Sequence, residues 1–388
     1  VTKQLYLHAF IYFIASLSIG IGIYEMIPLY PFIADSFGTD YAVWTGSIFS
    51  LGYAIGFLVI GWLMSKVPHK PLLLTALSLL IFDTLLIGFT YTFSALIAVR
   101  FFQGIFASAF APIAFSVIIR SFPKDRIPFA NSAVTAGFII AGVAGQLFSS
   151  FLFQSGGWFL IYGIQALLYA IVVLLLSYSI PKTSEAAHNQ DSFISDLRCL
   201  AGNGKLWLCF IIIFTLLFAF VGMYTAMGIY FSSTHAGFEH FLLTFRSFGL
   251  IGILGAIFLS TKTKVGSLSR LLSLGLLCAT SGIVLMAFAH SLVFLTLFSI
   301  IFAFGIALTM PMVVSMIGLV AGKQANTAIT LQSFILFIGA TLGPLVISPI
   351  LDQVHSYTVP FLVIGAVLFI SFVCSLILFL IQKGLELK

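Results

Sequence analysis

The chain has 388 residues, of which 61% are hydrophobic and 7% charged, with a formal net charge of +6 and a mean hydropathy of +1.19. That balance excludes a water-soluble globule, which carries about a quarter charged residues, and requires an integral membrane protein. The basic excess is accounted for below by where the cations fall, so it does not point to a nucleic-acid partner.

A helix that crosses a bilayer takes about 20 mostly apolar residues. In chain order, stretches of that kind begin near Leu7, Val43, Pro71, Ala95, Phe129 and Trp158, and again near Leu206, Leu242, Leu268, Leu292, Asn326 and Val359. The longest polar stretch, residues 181–205, holds Glu185, Asp191, Asp196, Arg198 and Lys205 and lies between the two sets. Ala130-Asn-Ser-Ala-Val-Thr135 at the head of the fifth span returns as Ala325-Asn-Thr-Ala-Ile-Thr330 at the head of the eleventh. Gly339 and Gly343 then echo Gly137, Gly142 and Gly145. A repeat at half the chain length, among apolar spans, marks a transporter built from two related halves. The expected fold is an all-α membrane protein with twelve transmembrane helices in two pseudo-symmetric six-helix bundles. Their expected limits are 1–180 and 206–388, joined by a cytoplasmic linker over 181–205.

Lysine and arginine are retained on the cytoplasmic side of a membrane. With the amino terminus inside, fifteen of the seventeen cations fall there, the exceptions being Arg100 and Arg246, while Asp35, Asp40, Glu239 and Asp352 fall outside. The expectation is a multi-pass protein of the cell membrane with both termini cytoplasmic. The first span is too long for a cleaved signal peptide. Cys199, Cys209, Cys278 and Cys374 form no CxxC pair and have no histidine-rich neighbour, so neither a metal site nor a disulfide is expected.

A charge in the hydrocarbon region costs a few kcal/mol even on the lenient insertion scale, about 2.5–3.5, so each one retained there is a functional candidate. Glu25, Asp83 and Arg100 are such residues, and their positions along spans 1, 3 and 4 place them at similar depth, where they can form one polar cluster. Ser18 and Gly22 share a face with Glu25, and Pro28 and Pro31 interrupt the backbone beyond it, as where a helix lines a cavity. Arg100 heads a stripe of small and polar residues, Gln103, Gly104, Ala107, Ser108 and Ala111, suited to close helix packing. A guanidinium with five donors can pin helices together, and Arg100 can equally tune the proton affinity of Glu25. Asp83, amid Leu79, Leu80, Leu86 and Ile87, reads either as a structural contact or as a residue meeting lipid near the headgroups.

Arg246 at the start of the eighth span, with His235, Glu239 and His240 before it, reads as a solvated outer-loop residue. Tyr24, Tyr53 and Tyr224 are candidate cavity aromatics, and Gln103, Asn131, Gln146 and Gln332 candidate polar lining. With no embedded charge recognised in the second half, a neutral or singly cationic solute fits better than a strongly charged one. No Gly-x-x-x-x-Gly-Lys-Ser/Thr loop is present, so no ATP site and no cofactor is expected.

Two segments carry a resemblance. Gly22-Ile-Tyr-Glu25-Met-Ile-Pro28-Leu-Tyr-Pro31 looks like the first helix, and Arg100-Phe-Phe-Gln103-Gly104 like the helix-4 motif, of the major facilitator superfamily, in particular its twelve-helix drug/proton antiporters. The segment from Gly61 to Lys70 stands where that family has its helix 2–3 signature but lacks the aspartate and second glycine, and the helix-5 antiporter motif survives only as Gly137, Gly142 and Gly145. Gly339-x-x-x-Gly343-Pro344 in span 11 carries the half of the motif that span 5 lacks. The resemblance implies a secondary transporter that exports a small organic solute in exchange for protons, with Glu25 and Arg100 in proton coupling; Asp83, at similar depth, is a further candidate for that role, and the protein is expected to act as a monomer. It also implies gating or packing roles for Gly61, Lys70, Gly104, Gly142, Gly145, Gly339, Gly343 and Pro344. A sugar or nucleoside permease, or a non-transporting scaffold, remain the alternatives; an enzyme would need a cluster of His, Asp or Ser that the chain lacks.

Overall fold

A computed structural model describes residues 2–64, 66–123, 126–180, 192–234, 239–260 and 268–386. Glu185 and Asp191 of the expected linker, His235, and the cations Lys124, Lys182, Lys262, Lys264 and Lys388 lie outside the described residues. The chain divides into two compact units, Val1–Gln190 and Asp191–Lys388.

In the first unit the elements are α1 (Thr2–Tyr24), α2 (Tyr30–Phe37), α3 (Trp44–Met64), α4 (His69–Ile87), α5 (Phe93–Ala107), α6 (Phe110–Ser121) and α7 (Ile127–Ser179). The first span breaks between α1 and α2 at a 3-10 turn, Ile27–Leu29, which contains Pro28. Proline lacks the amide that an uninterrupted helix would need there. α5 starts on Thr92, whose hydroxyl accepts from Ala95 N at 3.3 Å, an N-cap that satisfies one of the orphan amides.

At about 1.5 Å per residue, α7 would be more than twice the hydrocarbon thickness if straight. It is not straight: Gly156 and Gly157 leave helical geometry, and Gly157 has φ 71°. Before the break the helix runs alongside α1, with Gly137 against Phe13 and Leu17 and Gly145 against Ile21. After it the direction is reversed: Trp158 Nε1 donates to Ile87 O at the end of α4, and Ser177 and Ile180 meet Lys70 at its beginning. α7 is therefore two spans.

The second unit comprises α8 (Ser192–Ala201), α9 (Gly204–Thr234), α10 (Glu239–Ser260), α11 (Leu268–Ala287), α12 (Leu292–Ala321), α13 (Ala325–Val354) and α14 (Thr358–Glu386). The same partnership rule governs both units. α1 packs with the first half of α7, α3 with α5, and α4 with the second half of α7, while α9 packs with α13, α10 with α12, and α11 with α14. The architecture is two pseudo-symmetric six-helix bundles, and ten helices among the described residues are long and apolar enough to cross a membrane. One of these is the doubled α7, and the shorter apolar helix Thr244–Ser260 within α10 completes the twelve.

Glycine contacts set the helix spacing. A Cβ on Gly104 would strike the backbone of Phe49 and Tyr53, and one on Gly52 the carbonyl of Phe101, so α3 and α5 meet backbone to backbone. In the second unit Gly252 meets Ile300 and Phe304 in the same way, and Gly339 and Gly343 meet Phe214 and Phe218. Pro344 lies inside α13, one residue beyond this contact.

Candidate functional site

The site grows from the break in the first span. Helix ends leave their last carbonyls without intrahelical donors. Ending α1 at Tyr24 thus frees the carbonyl of Gly22, and Arg100 Nη2 donates to it at 3.1 Å. Arg100 Nε donates to Thr45 O at 3.1 Å, Nη1 donates to Glu25 Oε1 at 3.1 Å and also to Gln103 Oε1, and the guanidinium lies 4.3 Å from the Phe49 ring centroid. Gln103 Nε2 in turn donates to Thr84 Oγ1 at 2.9 Å. One cation thereby binds α1, α3, α4 and α5 together. Both Arg100 and Glu25 have 0% side-chain exposure, and theirs is the ion pair among the described residues.

Asp83 is 6% exposed and lies within electrostatic reach of Arg100. This excludes the lipid-facing alternative for Asp83, because the inward turn of α4 that carries Thr84 carries Asp83 with it. The three embedded charges therefore lie together.

Around Glu25 stand residues from the second half of α7. Gln165 Nε2 donates to Tyr169 Oη at 2.8 Å, Tyr162 Oη donates to Met26 Sδ at 3.4 Å, and Gly22 has no side chain to hold Gln165 and Tyr169 off. Tyr162 and Tyr169 are within electrostatic reach of Glu25. Sequence reasoning missed both tyrosines. The signal was present, since positions 162, 165 and 169 share one helical face.

Tyr24 and Tyr53 are buried near each other, and Tyr53 also packs on Phe49 and Phe57. Gln146 is buried, but its Nε2 donates to Gly142 O of its own helix at 2.8 Å. Asn131 is half-buried at the beginning of α7, away from these contacts, and Gly61 is half-exposed on α3. Lys70 Nζ donates to Ser177 O at 2.5 Å and Ile180 O at 2.7 Å, neutralising the carbonyl end of α7. Tyr224 and Gln332 belong to the second unit, on α9 and α13.

One expectation is overturned. Arg246 is not a solvated loop residue: it is 3% exposed within α10, beside Tyr224. The first turns of α10 extend the helix beyond the apolar stretch, so a residue that looked terminal is interior. The second unit therefore holds an embedded cation, so its composition no longer favours a neutral or cationic solute.

A bundle of twelve spans in two repeats, each half organised alike, with a buried ion pair on broken helix ends, defines a secondary-transporter architecture. The sequence profile of the Major Facilitator Superfamily matches residues 9–325, and the chain belongs to that family. It is 23% identical over 344 residues to the uncharacterized MFS-type transporter YceJ of Bacillus subtilis, covering 86% of both chains. It is 24% identical over 182 residues to the multidrug export protein EmrB of Haemophilus influenzae, covering 46% of this chain and 36% of that protein. To the arabinose-proton symporter of Escherichia coli it is 29% identical over 171 residues, covering 42% and 35%. Among solved structures, a bacterial homologue of the human lysosomal transporter Spinster, in an inward-facing unoccupied conformation, matches with a TM-score of 0.71 at 16% identity over 96% of both chains. The protein is a multi-pass integral membrane transporter.

Proposed function

We propose that this transporter couples the movement of a small organic solute to protons, exporting it by alternating access, with Glu25 as the proton carrier. The observation that supports this reading is the Arg100–Glu25 pair, sealed from solvent at a break in the first span. A carboxylate whose charge is balanced by one cation can exchange that partner for a proton, and its charge state then alters what holds α1 against α3, α4 and α5. Gln103 ties Arg100 to Thr84 next to Asp83, giving the second carboxylate a route to sense the same change. In this reading the protein acts as a monomer in the cell membrane, with both termini and the linker over 181–205 cytoplasmic. Tyr24, Tyr53, Gln103, Asn131 and Gln146 contribute to the solute path from the first half, Tyr224 and Gln332 from the second. Gly61, Lys70 and the close-packing glycines serve gating. Export is supported by the multidrug relatives. The sugar-permease alternative draws support from the arabinose-proton symporter and from buried Gln103, Gln146 and Gln165.

The test is a pH readout in inverted membrane vesicles carrying the full chain. With an imposed proton gradient, added solutes are expected to release protons from wild type and not from Glu25→Gln. Flux undiminished in Glu25→Gln would remove the carrier role from Glu25, and no flux with any solute would favour the scaffold.

A further inference from the structure

Glu25 is approached from two helices of its own unit. From α5, Arg100 Nη1 donates to Glu25 Oε1 and Nη2 donates to Gly22 O, one turn earlier on α1. From the second half of α7 come Tyr162, Gln165 and Tyr169, all buried. Gly22 lets this face in, because a Cβ there would stand 2.7 Å from Tyr169 Oη and 3.2 Å from Gln165 Nε2. The Tyr162 hydroxyl is committed to Met26 Sδ at 3.4 Å. Gln165 is therefore the polar group that α7 has left to meet the carboxylate, and it lies within hydrogen-bonding reach of it.

One atom of each side chain is without a hydrogen-bond partner, Glu25 Oε2 and Gln165 Oε1, while Gln165 Nε2 donates to Tyr169 Oη at 2.8 Å. Buried polar atoms are rarely left in that condition. Both atoms are acceptors, so neither serves the other, but a single hydrogen between them serves both. A proton on Glu25 Oε2 supplies it: the carboxylic acid donates to Gln165 Oε1 while Oε1 of Glu25 keeps its bond from Arg100. An ionised Glu25 has no hydrogen to give and needs a donor instead. Turning the Gln165 carboxamide over meets that need, since Nε2 then donates to the carboxylate and Oε1 accepts from Tyr169. A tyrosine hydroxyl suits both arrangements, because it accepts in the first and donates in the second.

The geometry points to Gln165 and Tyr169 as positioning residues that read the protonation state of Glu25, Gln165 accepting from the neutral acid and donating to the ionised one, and Tyr169 reversing its own hydrogen bond in step. This rests on Glu25 taking up a proton, as the carrier reading above requires. The proton stays on Glu25 throughout; only the direction of two hydrogen bonds changes. The second half of α7, which packs on the α4 helix that carries Asp83, thereby registers a proton bound on α1. The charged and titratable groups facing Glu25 are Arg100 of α5 and Tyr162 and Tyr169 of α7; Asp83 of α4 faces Arg100, and Tyr53 of α3, with Tyr24 of α1 near it, faces Tyr169.

The test is infrared difference spectroscopy of the full chain in lipid, titrated from alkaline to acid pH. The carbonyl stretch of a protonated carboxyl lies lower when its O–H donates a hydrogen bond, and the band lost in Glu25→Gln belongs to Glu25 rather than to Asp83. That band is expected to move up in Gln165→Leu, which takes the acceptor away. A tyrosine C–O band, assigned by its loss in Tyr169→Phe, is expected to shift as Glu25 is protonated in wild type and to stay fixed in Gln165→Leu. A Glu25 band at the same frequency in Gln165→Leu, or a Tyr169 band indifferent to pH in wild type, would overturn the inference and leave the carrier reading standing. Solute-driven proton flux undiminished in Glu25→Gln, with a Glu25 band that still moves in Gln165→Leu, would remove the carrier role alone. A spectrum from which Glu25→Gln removes no carboxyl band would sink both. Should Gln165→Leu fail to fold, Gln165→Met, unbranched and without an amide, takes its place with the same outcomes.

Discussion

Arg100 Nη1 stands 3.1 Å from Glu25 Oε1 with both side chains wholly excluded from solvent, across 75 residues of sequence. Taking two charges out of water is repaid only when the remaining donors are also bound. Most of them are: Nε and Nη2 reach two backbone carbonyls and Nη1 also serves Gln103, while Glu25 Oε2 is left without a hydrogen-bond partner. The arginine thus has two uses at once, joining helices and balancing the embedded acid.

Removing the cation should therefore cost more than neutralising the acid. Arg100→Ala leaves a buried carboxylate and the carbonyls of Gly22 and Thr45 without their donor, an expected loss of about 3–5 kcal/mol. Glu25→Gln keeps an acceptor oxygen near Nη1 and should cost less, with Arg100→Lys between the two because an ammonium cannot span the same acceptors. Chemical unfolding of the three variants in detergent gives the order; equal stability of Arg100→Ala and wild type would show that the pair does not hold the unit together.

The α3–α5 contact gives a second prediction. Gly104→Ala places a methyl group against the Phe49 carbonyl and the Tyr53 amide, both backbone and unable to swing aside. Overpacking of this kind costs about 1–3 kcal/mol, and here it also displaces Phe49 and Gln103, which both touch Arg100. Solute-driven proton flux should fall in Gly104→Ala although the residue bears no polar group. Flux and unfolding midpoint both at wild-type level would mean that the helices can separate without consequence.

Lys70 provides a third. Its two bonds to Ser177 O and Ile180 O anchor the end of α7 to the start of α4. Lys70→Gln removes the charge that meets the helix carbonyls, and Lys70→Ala removes the donors as well. The expected losses are about 0.5–1 and 1–2 kcal/mol respectively, with Lys70→Arg close to wild type. Limited proteolysis near residue 180 should speed up in the same order, and an unchanged rate in Lys70→Ala would separate Lys70 from that anchorage.

The fold was legible because it is written in hydrophobicity and glycine spacing, both local signals. Spans, the half-length repeat and the shared depth of Glu25, Asp83 and Arg100 could all be counted along the chain. Arg246 could not, because whether a cation near the head of an apolar stretch is solvated depends on how far the helix continues before it and on which neighbour covers it. Tyr162 and Tyr169 were hidden for a related reason: on an apolar helix a tyrosine signals nothing until the opposing residue is known to be Glu25.

The reversal within α7 gives the last prediction. Gly157 has φ 71° and ψ −160°, a region that is essentially closed to residues bearing a Cβ, whereas Gly163, six residues on, is helical with open space where a Cβ would point. Gly157→Ala should cost about 1–3 kcal/mol through backbone strain alone, because no neighbouring atom lies within 4 Å of the added carbon. Gly163→Ala should change stability by less than about 1 kcal/mol, and in the stabilising direction, since alanine favours the helix. Straightening at residue 157 would carry Trp158 away from Ile87 O and Tyr162 away from Met26, so strain there should also reach the surroundings of Glu25. Unfolding of the two variants compared with wild type decides it: equal effects would show that the break tolerates a side chain and that α7 reverses for some reason other than its glycines.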